Sequence, residues 1–290
     1  MIPCAFEYFA PKTLDEAVYL LDKYEDSKII AGGQSLVPLM KLRLITPRYL
    51  IDIGRIPGLS YIREDGENIV IGAMTTHYEV ESSTLLKTKC PLLPEAASLI
   101  GDVHVRNRGT IGGSLCHLDP AADYPPVILA LRGKLKAAGR DGERIIDAQD
   151  FFVDMFTTSL KRNEILTEIR IPKLVKRTGW AYLKISFRAG HFAIVNVATL
   201  VTLDEEGRCK DVSIVLGGVG SRPMRAKVVE ERLLGRVVDE HLIKEASEYA
   251  TDENEVLSDF HASAEYRREV SKVLTRRALN LALQRVGEGR

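Results

Sequence analysis

Cysteine is scarce in this chain, and what there is stands apart: Cys4, Cys90, Cys116 and Cys209 are the four found in 290 residues. No C-x-x-C pair and no H-E-x-x-H occurs, so the spacing of a zinc site or of an iron–sulfur ligand set is missing. Any redox metal would have to sit on another chain. An excess of one charge is missing too, since 40 basic residues balance 40 acidic ones. That removes the electrostatic footprint of a nucleic-acid binder. Neither G-x-G-x-x-G nor G-x-x-x-x-G-K-[ST] appears, which excludes the two commonest nucleotide-binding loops. No apolar run reaches the roughly 18–20 residues that span a bilayer. The N-terminus, Met1 to Glu7, lacks the basic-then-apolar order of a signal peptide, so a cytoplasmic location is expected. No nucleophile–base constellation of the Ser-His-Asp or Cys-His kind can be assembled from the motifs.

What the chain does have is an ordinary globular composition, 45% hydrophobic and 28% charged, with length enough for two or three compact units. Two stretches with paired glycines stand out: Ala31-Gly32-Gly33-Gln34-Ser35-Leu36 and Thr110-Ile111-Gly112-Gly113-Ser114. Adjacent glycines let backbone N–H groups turn toward one point and let an anion approach without a Cβ in the way. Two such loops converging on one place would suit a pyrophosphate. Taken singly, each reads more readily as an ordinary tight turn between strands.

The periodicity sketches the rest. Thr13-Leu14-Asp15-Glu16 has the form of a capping box opening an amphipathic helix that runs to about Tyr24. Strands are expected at Lys28–Ile30 and Tyr49–Ile53, with a helical or turn-like stretch from Val37 to Leu44. A hairpin is expected across Asp65-Gly66, joining Ser60–Ile62 to Ile69–Ala73. Pro94 to Ile100 reads as a helix closed by Gly101, and Pro125 to Leu131 as another. Strands return at Lys134–Ala137 and Ile165–Ile171. After the basic, non-periodic Pro172–Thr178 come three strand-like runs, Trp180–Phe187, Phe192–Leu203 and Cys209–Leu216. Helices over Ala226–Leu234, Asp239–Tyr249 and Ala264–Arg285 end the chain. In the last of them Val270, Val273, Leu274, Ala278 and Leu281 are expected to line one face. A three-stranded sheet backed by helices would be an α+β unit of its own.

Together the loops and their neighbourhoods carry a resemblance that neither loop carries alone. Ala31 to Leu36, Thr75-Thr76-His77, Gly101 through Ser114, His117 through Asp123, Glu164-Ile165-Leu166, Lys184 to Val195 and Ser263 to Arg267 follow one another in order. The chain so read resembles the medium, FAD-binding subunit of molybdenum hydroxylases, the family of carbon monoxide dehydrogenase, xanthine dehydrogenase and archaeal aldehyde oxidoreductases. The resemblance implies an α+β chain: a p-cresol-methylhydroxylase-like FAD-binding domain of two subdomains, 1–56 and 57–174, followed by a smaller α+β domain, 175–290. It implies that Ala31 to Leu36 and Thr110 to Ser114 cradle the FAD pyrophosphate and ribityl chain, with backbone N–H groups and the Ser35, Thr110 and Ser114 hydroxyls as donors. Asp123 would accept from hydroxyls of the cofactor, or else cap the helix that follows it. Leu166 and Lys184 would lie against the flavin, and a cation there would stabilise the charge that develops on reduction. Alternation along Tyr182-Leu183-Lys184-Ile185 allows the other reading, that Lys184 faces solvent. Arg188-Ala189-Gly190-His191 departs from the family, which commonly has an acidic residue where His191 stands.

The resemblance further implies two partner subunits, a large one with a molybdenum cofactor and a small one with two [2Fe–2S] clusters, assembled as a dimer of heterotrimers. Neither nucleic acid nor a membrane span enters this picture. A stand-alone FAD oxidoreductase on the same fold and an assembly subunit that has lost FAD are the alternatives.

Overall fold

The computed structural model describes residues 2–252 and 255–286. Its chain opens with β1 (Glu7–Phe9), α1 (Leu14–Lys23), β2 (Ser27–Ile30), α2 (Leu36–Lys41) and β3 (Tyr49–Asp52). The strands form a parallel sheet in the order β1-β3-β2. Thr13 caps α1 by accepting from the Glu16 N–H at 3.2 Å. The Glu16 carboxylate turns to the Lys12 N–H instead of Thr13, so the expected capping box is half closed. Ala17, Val18 and Leu21 face inward with Ile51 and Ile53 beneath them. The first glycine loop joins β2 to α2, which places it at the carboxyl end of a parallel strand.

A run of short elements follows: β4 (Ile62–Asp65), β5 (Asn68–Gly72), α3 (His77–Ser82), α4 (Thr84–Lys89), α5 (Leu92–Ser98), α6 (Val103–Arg108), α7 (Ile111–His117) and α8 (Tyr124–Ala130). Then come β6 (Lys134–Gly139), β7 (Gly142–Asp147), α9 (Ala148–Phe151), the hairpin β8 (Phe152–Asp154) and β9 (Thr157–Thr158), and β10 (Glu164–Pro172). Five of these strands pair antiparallel in the order β4-β5-β10-β6-β7. The helices pack on that sheet, and Ile69, Ile71, Leu92, Leu93, Ile111, Leu115 and Ile169 form the largest core. The hairpin at Asp65-Gly66 is as expected, with Gly66 at φ +59°. The helix expected at Pro94–Ile100 begins earlier, because Pro91 serves as its N-cap. The second glycine stretch is the start of α7 rather than a turn between strands.

The remainder holds β11 (Thr178–Ser186), β12 (Ala193–Leu203), β13 (Cys209–Gly217), β14 (Met224–Arg225), α10 (Lys227–Leu233), α11 (Glu240–Ser247) and α12 (Ala264–Arg285). The sheet β11-β12-β13-β14 has four strands, not the three expected. Two-residue β14 is too short to leave a pattern in the sequence. Ala181, Val195, Val197 and Ile214 turn to the helices, whereas Tyr182, Ala198 and Val215 join the core of the preceding unit. This sheet is therefore covered on both faces. On α12 Leu274 and Ala278 are buried as expected, with Val270 and Leu281 packed at the edge of the core, and the buried face also runs through Arg267, Ser271, Thr275, Leu279 and Ala282. Its backbone comes so close to β11 that a Cβ on Gly179 would stand 1.8 Å from the Ala282 carbonyl oxygen.

Candidate functional site

The two glycine loops meet. A Cβ on Gly32 would lie 2.0 Å from the Arg108 carbonyl oxygen and 2.8 Å from Gly109 Cα, so the loops touch backbone to backbone. One on Gly113 would lie 3.6 Å from Ala31 Cβ. In the first loop Gly33 takes φ +76°, a left-handed turn that glycine adopts without strain. Among the described residues, the N–H groups of Gly32, Gly33, Gln34 and Ser35 donate to no protein acceptor. Neither do the Gln34 amide nor the Ser35 hydroxyl, and Leu36 begins α2 behind them. Successive N–H groups around a left-handed residue form a concavity suited to an anion.

The second loop contributes differently from what the sequence suggests. Ile111 N–H donates to Thr75 O at 3.0 Å, Gly112 N–H to Ala73 O at 2.9 Å and Ser114 N–H to Thr110 O at 3.0 Å. Gly113 N–H donates to Thr110 Oγ1 at 3.1 Å. Its amides are engaged inside the protein, so what it offers is close approach and the hydroxyls of Thr110 and Ser114. Gly112 is small because Ala73 lies beneath it, 2.6 Å from where a Cβ would be. His77 supports the entry to this loop: its N–H donates to Gly109 O at 2.9 Å, and its ring lies against Gly109 and Tyr124. Burial, with Arg106 adding to it, pushes His77 down to about 4. Its Nδ1 and the Tyr124 hydroxyl are buried without partners among the described residues.

A second cluster forms beyond the end of α7. Asp123, 5% exposed, accepts from the Tyr182 hydroxyl at 2.6 Å and from Lys184 Nζ at 2.9 Å. Lys184 Nζ also donates to the Leu99 carbonyl at 3.1 Å. Lys184 does not face solvent, because the β11 face that carries it and Tyr182 is covered by the helical layer. Asp123 makes no side-chain cap for α8. Burial lifts its carboxyl above the ordinary range, opposed by Lys184 and Tyr182. Leu166 is buried in the largest core. It precedes Thr167, whose carbonyl accepts from the same Ala73 that holds Gly112. Gly190, at φ +79°, lies against the Gly101 carbonyl, and Phe187, His191 and Phe192 around it are exposed. Tyr182 and His77 were not marked by the sequence as site residues. The alternation of Tyr182 with Lys184 was the available signal.

An open row of amide donors, a glycine cradle that no Cβ could enter, hydroxyls at its edge and a buried lysine fit a dinucleotide cofactor. The site belongs to a flavoprotein subunit: residues 4–174 match the family described as the FAD binding domain in molybdopterin dehydrogenase, and 180–282 match the CO dehydrogenase flavoprotein C-terminal domain. The chain is a member of the medium subunits of carbon monoxide dehydrogenase and related molybdenum hydroxylases. It is 40% identical to the carbon monoxide dehydrogenase medium chain of Hydrogenophaga pseudoflava, across 98% of this chain and 99% of that one. The glyceraldehyde dehydrogenase medium chain of Sulfolobus acidocaldarius is 37% identical, covering 96% and 98%. Among solved structures, quinoline 2-oxidoreductase from Pseudomonas putida 86 superposes with a TM-score of 0.94 at 34% identity, covering 99% of both chains. These relatives are named as oxidoreductase subunits. Among the described residues, no helix is long and apolar enough to cross a membrane.

Proposed function

We propose that this chain is the FAD-binding electron-transfer subunit of a heteromeric molybdenum-containing hydroxylase or dehydrogenase. Bound here, FAD would supply the redox chemistry that links [2Fe–2S] clusters of a partner subunit to an external acceptor. The observation that carries the reading is the row of free N–H groups from Gly32 to Ser35, pressed against the second loop. Those donors, with the Ser35, Thr110 and Ser114 hydroxyls, hold the pyrophosphate. Ala31, Leu36, Ile111, Gly112 and Gly113 shape the cradle around it. Asp123 keeps lone pairs free beside Tyr182 and Lys184, enough to accept from a cofactor hydroxyl. Leu166 and Lys184 would lie against the flavin, where the ammonium favours added negative charge.

The division of the chain into 1–56, 57–174 and 175–290 puts the cofactor between the N-terminal subdomains and the C-terminal domain. Both clusters would sit on a small partner, in keeping with the scattered cysteines of this chain, and the molybdenum cofactor on a large one, as in the family, in a cytoplasmic dimer of heterotrimers. Substrate is oxidised on the large subunit. Co-expression with both partners, followed by size-exclusion and flavin quantification, tests this. A three-chain complex with one FAD per medium subunit is expected. A free chain that oxidises a small substrate by itself would contradict it.

A further inference from the structure

One short segment carries a consecutive run of contacts between the N-terminal and C-terminal regions. Pro120 O accepts from Gly218 N–H at 2.8 Å and Ala121 O from Ala193 N–H at 3.2 Å. Ala122 O accepts from the Asn196 side-chain amide at 3.2 Å, and Asp123 takes Tyr182 and Lys184. Four consecutive residues are thus held by the C-terminal sheet, and the Asp123 main chain is fixed where its carboxylate must work.

The Lys184 side chain is 4% exposed. An ammonium has three N–H donors. Its Nζ lies 3.1 Å from Leu99 O, 3.1 Å from Asp123 Oδ2 and 2.9 Å from Asp123 Oδ1, so the carboxylate is its main anchor. Tyr182 is 1% exposed, and among the described residues Asp123 is the single partner of its hydroxyl. A phenylalanine would fill the same space, so packing alone does not require the phenol.

We propose that Tyr182 is a positioning residue for the cofactor: its hydroxyl, donated to Asp123, holds the carboxylate that anchors Lys184 beside FAD. The inference rests on the reading that FAD occupies this site. A donor removed from an ionised carboxylate raises its pKa, and burial already lifts that of Asp123. A protonated Asp123 no longer anchors Lys184. Loss of the phenol therefore moves the acid weakening of FAD binding to higher pH.

The groups around Asp123 are Lys184 and Tyr182 on β11, Asn196 on β12 and Tyr124 on α8. Glu81 and His77 on α3 and Arg106 on α6 stand behind Tyr124. Tyr124 is held well above its ordinary value by burial and stays neutral. His77, pushed down to about 4, is neutral through most of the range above that.

The test is FAD binding to the full apo-chain, followed by quenching of flavin fluorescence from about pH 5 to about pH 8. Tyr182→Phe, Asp123→Asn and the double variant are compared with wild type, with apo melting temperature as the folding control. Tyr182→Phe is expected to match wild type at the alkaline end within about threefold, while its acid limb moves up by about one pH unit. Asp123→Asn is expected to bind more weakly, with the limb abolished, and adding Tyr182→Phe to it should change nothing. Superimposed wild-type and Tyr182→Phe profiles would overturn the inference alone. So would an equal loss at every pH in both backgrounds, which marks simple packing. A wild-type chain that binds no FAD at any pH would overturn the cofactor reading and this inference with it.

Discussion

Gly32→Ala probes the cradle with a single methyl group. The added carbon would stand 2.0 Å from the Arg108 carbonyl oxygen, 2.7 Å from its carbon and 2.8 Å from Gly109 Cα. All three are backbone atoms, so no rotamer change relieves the clash, and ordinary contact begins only at 3.4 Å. One loop must retreat from the other. Overpacking of this kind costs about 1–3 kcal/mol. If ~2 kcal/mol of it falls on the bound form, where both loops must close on one pyrophosphate, FAD binding weakens ~30-fold. Titration of the apo-chain with FAD measures this directly, and apo melting reports the fold. Gly235→Ala is the control: φ is +75° there, but nothing lies within 4 Å of the new Cβ. It should lose about 1 kcal/mol of stability to left-handed strain and keep its FAD affinity. A Gly32→Ala chain that binds FAD and melts like wild type would refute the two-loop cradle.

Other outcomes follow from groups at or near the site. His77 has a folded-state value near 4 against an ordinary 6.5, so the unfolded chain binds the proton first as pH falls. Stability should drop by about 3 kcal/mol between those two values, and His77→Phe should flatten that slope in urea titrations across the range. Arg267→Ala should destabilise by about 3 kcal/mol, also read in urea. Its guanidinium serves the Ile194 and Gly218 carbonyls and pairs with Asp259 at 2.6 Å. Burial pushes Cys90 and Cys116 up to about 12 and Cys209 up to about 11. Cys4 is exposed. A thiol reagent should therefore titrate one fast group in the native protein and four after denaturation.

Much of this was legible in the chain. Periodicity and caps located α1, α8, α12 and the strands β2, β3, β10, β12 and β13, because each carries a local pattern of apolar residues or a cap. The ordered motifs located the two glycine loops. What stayed hidden depended on contacts distant in sequence. Alternation along β11 allowed a solvent-facing Lys184, and nothing local says that its sheet is covered on both faces. The second glycine loop offered N–H groups on paper, yet Thr75, Ala73 and Thr110 engage them in the fold. Thr76-His77-Tyr78-Glu79 has the same T-x-x-E form as the stretch beginning at Thr13. It makes the complete capping box, while the one at Thr13 is half closed because Lys12 captures Glu16. The polar residues on the buried face of α12, Arg267, Ser271 and Thr275, defeat a reading based on apolar spacing alone.

The most direct test is to purify this chain alone, record its visible absorption and identify any released chromophore by mass. Flavin absorption bands and a non-covalently held chromophore with the mass of FAD are the predicted result. A colourless protein that also takes up no added FAD would contradict the account at its centre.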